Sequence, residues 1–168
     1  TTSGKSGVLT GTMSRPTLRS MARPSTTELL PRAKAFAEHA AEELVAKRPA
    51  AERPAVDDAV RLQNAAGKAW TATRMAAEAV AFCARPKRVN GTKTLLRALS
   101  DIANNERRGS LEFQRFVRQV GDAHRELHIE CAEQGDCAPK ETARWVRTVA
   151  SELVPAAEHL CRGSGSGR

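Results

Sequence analysis

A chain of 168 residues, 40 % hydrophobic and only 4 % aromatic, has room for one packed domain whose core must rely on alanine and aliphatic side chains. Its 27 Lys and Arg against 19 Asp and Glu give a net charge of +8, which favours an acidic partner: nucleic acid, anionic lipid or acidic protein. No stretch approaches the ~20 consecutive apolar residues of a membrane span, and none has the continuous apolar core of a secretory leader.

Residues 1–25 contain Lys5, Arg15, Arg19 and Arg23, no Asp or Glu, and no periodic apolar pattern. This composition predicts a flexible basic arm, and it is similar to that of an organelle presequence or its remnant. The chain opens on Thr1, from which an initiator Met, a presequence or another preceding segment is expected. A helical domain is expected over residues 26–162, followed by a flexible Gly/Ser tail over 163–168.

Ser25-Thr26-Thr27-Glu28 has the form of a capping box and predicts the start of the first helix. Leu29, Ala33, Phe36, Ala37, Ala40 and Leu44 then recur at helical spacing. Pro49 and Pro54 bracket a linker, after which a second helix is expected from Ala55 to Ala84. Its inward stripe reads Val56, Val60, Ala66, Trp70, Thr73, Ala77 and Val80. Pro86-Lys87-Arg88-Val89-Asn90-Gly91 reads as a basic turn.

A third helical region starts near Thr92 with Leu95, Leu96, Leu99, Ile102 and Ala103, and is interrupted near Gly109. Ser110 is placed to cap a renewed helix carrying Phe113, Phe116, Val117, Val120, Leu127 and Cys131. The pattern leaves open whether this is one broken helix or two. The last helix is expected from Pro139 to Leu160, with Trp145 or Val146, then Val149, Leu153, Ala157 and Leu160 inward and a kink or boundary shift at Pro155. No segment alternates with period two. The expected fold is all-α, an antiparallel bundle of about four helices.

Four groups of residues bear on function. His124, His128 and Cys131 share one face if the helix is α-helical, and Cys137 follows in the next loop. Their donor types match a tetrahedral zinc site, but that face also carries Leu127 of the core stripe, so no metal is assigned. The cysteines Cys83, Cys131, Cys137 and Cys161 can pair in three ways. Cys131–Cys137 would clip a loop across Gly135 and Cys83–Cys161 would tie two helix ends, given an oxidising compartment. Free thiols serving as small core residues are the preferred expectation.

Arg118-Gln-Val-Gly-Asp-Ala-His124 resembles the Arg-to-His motif of HEPN ribonucleases, which are helical bundles. Over these seven residues the resemblance implies RNA cleavage by Arg118 and His124 at the cleft of a dimer. The basic arm (Arg15, Arg19, Arg23) and the basic turns (Lys87, Arg88, Arg107, Arg108) supply charges for an anionic partner, whereas the aromatics needed for base stacking fall mostly on inward faces.

The function expected from these features is a non-catalytic helical accessory or structural subunit of a large assembly. A mitochondrial complex is the first choice, with docking through the basic arm onto protein subunits and no cofactor. The alternatives are a nucleic-acid-associated or ribosomal protein using the arm and turns, with anionic lipid as a further candidate partner, and a bacterial secreted effector or HEPN-like ribonuclease. These place the chain in the mitochondrion, and otherwise in the cytoplasm or among secreted effectors.

Overall fold

The computed structural model describes residues 26–45, 55–87, 89–105 and 110–165. Among these residues it is all-helical, with five helices and no strand. Helix α1 spans Thr26–Val45, α2 Ala55–Ala84 and α3 Thr92–Ala103. Helix α4 runs over Leu111–Ala123 and continues as a π-helical stretch, His124–Glu133. Helix α5 covers Pro139–Thr148, a π-helical turn at Val149–Leu153, and Val154–Gly165. The third helical region is therefore two helices, and the count is five rather than about four. The last helix extends past Leu160 to Gly165, beyond its expected end.

The longest helix, α2, is the centre of the packing and touches every other helix. Ala65, Ala66, Ala69, Ala72, Ala76, Ala77, Ala79, Ala81 and Ala84 are all buried, so α2 is covered around most of its circumference. Alanine buries little area per residue but lets neighbouring backbones approach closely. The larger apolar volume comes from the surrounding helices: Leu95, Leu99 and Ile102 of α3, Phe116, Val120 and Leu127 of α4, and Val146, Val149 and Leu153 of α5. Val60, expected on the inward stripe of α2, is instead exposed near that helix's N-terminal end.

Polar contacts fix the helix directions. The Arg61 guanidinium donates to the Glu43 carbonyl at 2.5 Å, joining the end of α1 to the start of α2. Gln63 donates to the Ala132 carbonyl at 2.8 Å while Trp70 lies against His124, so α4 runs antiparallel to α2. Arg115–Glu152 at 3.8 Å and Glu112–His159 at 3.7 Å set α5 antiparallel to α4. Helices α2 and α5 thus run the same way, and α3 is a short fifth element.

Ser110 caps α4 as its position in the sequence suggested, accepting a hydrogen bond from the Phe113 N–H at 3.1 Å. Pro155 is accommodated without ending α5. It has no N–H, and its ring would crowd the Ser151 carbonyl in a regular α-helix; the π turn at Val149–Leu153 lies directly before it.

Candidate functional site: a histidine–tryptophan cluster, two disulfides and a basic corner

The π-helical stretch of α4 changes which side chains share a face. Hydrogen bonding from i to i+5 brings together residues five apart, and two ion pairs have that spacing, His128–Glu133 at 3.3 Å and Arg125–Glu130 at 4.0 Å, although Arg125 lies closer to Glu126 at 3.1 Å and Asp122 at 3.6 Å. His124 and His128 both lie against the Trp70 indole of α2, at ring-centroid distances of 5.0 and 5.2 Å, the His128 ring stacked nearly parallel to it. The two imidazoles are 5.4 Å apart. Burial, and then the neighbouring His128, lower the pKa of His124, an effect that Glu133 partly opposes.

Cys131 takes no part in that cluster. It is buried beside the Leu62 carbonyl and forms a disulfide with Cys137, with a Cα–Cα distance of 4.3 Å. A second disulfide joins Cys83, near the end of α2, to Cys161, near the end of α5, with a Cα–Cα distance of 5.4 Å. This corrects the expectation of free buried thiols. The parallel course of α2 and α5 brings Cys83 and Cys161 to the same end of the bundle, a tertiary fact that the cysteine spacing does not contain. Of the four candidate zinc donors, the two sulfurs are bonded to each other and the two imidazoles pack against Trp70. Among the described residues no group of His, Cys, Asp and Glu is arranged to hold a metal ion.

Arg118 is exposed on α4, while His124, six residues on, is packed against Trp70. Among the described residues no contact joins the two side chains; the resemblance to HEPN ribonucleases implied that they act at a dimer cleft, which a single chain does not test. Gln119, the residue between them nearest Arg118, is bonded to Glu152 of α5 at 3.3 Å.

Of the basic residues expected to meet a partner, Arg15, Arg19, Arg23, Arg88, Arg107 and Arg108 lie outside the described residues. Lys87 is exposed just beyond α2. Arg85 before it and Lys93 and Arg97 on α3 are also exposed, with no ion pair to a carboxylate among the described residues. Elsewhere some cations have such a partner, as Arg61 has Asp58, Lys68 Glu43, Arg74 Glu78, Arg125 Asp122 and Arg144 Glu141, while the exposed Arg118, Lys140 and Arg147 have none among the described residues. The sequence signal for this corner is the complete absence of Asp and Glu between Glu78 and Asp101, a run that holds five Lys and Arg. Arg85 and Arg97 were missed because they lie on either side of the turn as it was read, Pro86 to Gly91.

The fold and these features define an all-α bundle with two disulfide clips and a segregated basic corner. No protein-family model, curated protein or solved structure matches the chain.

Proposed function

We propose that this chain is a non-catalytic helical subunit that docks through its basic α2–α3 corner onto an acidic protein surface in an oxidising compartment. The observation that carries this reading is the placement of Lys93 and Arg97. Lys93 sits in the first turn of α3, where the helix dipole disfavours a cation. Arg97 follows four residues later on the same exposed face, so the two charges repel. Each placement costs α3 about 0.3–0.5 kcal/mol, and an anionic partner would relieve both.

The two disulfides support the compartment, since such bonds persist where the cytosolic reducing systems do not act. The mitochondrial intermembrane space is the first candidate because of the presequence-like composition of residues 1–25, and a secreted role shares the same redox requirement. The arm's Arg15, Arg19 and Arg23 extend the docking charge in this proposal.

Affinity purification of the tagged full-length chain from its native source, with and without nuclease, tests it. A defined set of protein partners should survive nuclease treatment and be lost from the triple variant Lys87→Glu, Lys93→Glu and Arg97→Glu. Partners that vanish with nuclease would replace this reading with nucleic-acid binding. Partners retained by the triple variant would remove the corner from it.

A further inference from the structure

The basic corner contains the dipeptide Asn90–Gly91, exposed between the end of α2 and the start of α3. Gly91 has φ +85° and ψ 149°, a conformation that side chains other than glycine's rarely adopt. Nothing lies within 4 Å of where a Cβ would stand on it. The amide nitrogen of Gly91 is therefore unshielded by a side chain of its own, and the space around the residue is open. The other asparagines differ. Asn64 lies within α2, where the helix fixes its backbone, and Asn104 and Asn105 close α3 and are followed by Asn and Glu.

We propose that Asn90–Gly91 is a self-modification site at which the corner loses positive charge by deamidation. The Gly91 amide nitrogen, on losing its proton, attacks Cγ of Asn90. A new N–Cγ bond forms, the Cγ–NH2 bond breaks, and ammonia leaves. Water then opens the five-membered imide at either carbonyl, giving aspartate or isoaspartate. Water is the only co-reactant and no redox change occurs.

The product matters because of where it stands. Helix α3 has no acidic residue in its first turn and no side-chain cap at Gly91. An aspartate at position 90 places an anion at the N-terminal end of that helix, three residues before Lys93, where the dipole favours it. The same carboxylate is the first acid within the run between Glu78 and Asp101. It therefore gives the corner an internal counter-charge in place of an external one. Isoaspartate adds the same charge and lengthens the turn by one backbone carbon. The chemistry stands independently of the docking reading, whereas its consequence for binding rests on that reading.

The test is incubation of the purified full-length chain in warm, mildly alkaline buffer, followed by peptide mass spectrometry and enzymatic isoaspartate labelling. Asn90 should convert at least about tenfold faster than Asn64, Asn104 or Asn105, because only its successor lacks a side chain. Asn90→Gln should suppress the labelling. Conversion of Asn90 no faster than Asn104 overturns the site. Separately, Asn90→Asp should keep wild-type helicity and bind poly-glutamate several-fold more weakly than the wild-type chain. If Asn90 converts readily but Asn90→Asp binds poly-glutamate as wild type does, the modification stands and its regulatory consequence falls.

Discussion

His124 shows how a single side chain can acquire a pH dependence from its packing. Its imidazole lies on Trp70 with a second imidazole 5.4 Å away, and both burial and that neighbour disfavour its proton. A histidine whose folded pKa is lowered binds its proton more readily in the unfolded chain. The unfolded state therefore takes up more protons as pH falls below about 6.5, and the folded state loses stability over that range. The loss levels off once pH is below the folded-state pKa. Glu133, which lies 3.3 Å from His128, opposes part of the lowering at His124. The expected outcome concerns His124 alone: the melting temperature of wild type, relative to His124→Gln, should fall as pH is lowered from neutrality to about 5. A difference that stays constant or grows would contradict the packing argument. Trp70 fluorescence offers an independent readout, since both rings contact that indole.

At the scale of elements, the two disulfides are unequal restraints. Cys83–Cys161 closes a separation of 78 residues, whereas Cys131–Cys137 closes one of 6. Loop-closure entropy alone gives about 4.5 kcal/mol for the first and about 2 kcal/mol for the second. The shorter loop is also pinned without its disulfide. Gly135 takes a positive φ of 75° at the end of α4, and the Asp136 N–H donates to the Glu130 carbonyl at 2.9 Å. Chemical denaturation of the double alanine variants should therefore show a loss of about 4 kcal/mol for Cys83/Cys161 and less than half that for Cys131/Cys137. The reverse order would mean that the clip at Gly135, rather than the tie between helix ends, holds the bundle. What the sequence conveyed at this scale follows the same division between local and long-range. The apolar stripes of α1 and α4 and the Ser110 cap are local patterns, and the structure keeps them. The π stretches were not legible, because Pro155 signals a disturbance without saying how the helix absorbs it. The cysteine pairing was narrowed to three arrangements and then misjudged as free thiols, because nothing local says that α2 and α5 end side by side. His124, His128 and Cys131 were read as one face by applying α-helical spacing to a segment that is π-helical.

Across the whole molecule, charge and packing are arranged on different terms. The core wraps α2 in larger side chains from the other helices, while the surface mixes paired cations such as Arg74, Arg125 and Arg144 with exposed ones such as Arg118, Lys140 and Arg147 that have no ion pair among the described residues. The α2–α3 corner differs in that its exposed cations lie in a run without any Asp or Glu, between Glu78 and Asp101. A surface that only had to keep a bundle soluble would place an acid in the first turn of α3, as α4 does with Glu112 and the start of α5 does with Glu141. Lys93→Glu makes that replacement. It puts an anion at the favourable end of the helix dipole and sets a carboxylate four residues before Arg97, the orientation in which an acid–base pair stabilises a helix. The isolated chain should gain roughly 0.5–1 kcal/mol in dilute salt, and the gain should shrink as salt screens both interactions. The same variant should bind poly-glutamate more weakly than wild type. A substitution that stabilises the free protein while weakening its association is expected of a corner whose charges are arranged for a partner. If Lys93→Glu neither raises the melting temperature in dilute salt nor weakens binding, Lys93 is ordinary solvated surface and the docking argument loses its principal support.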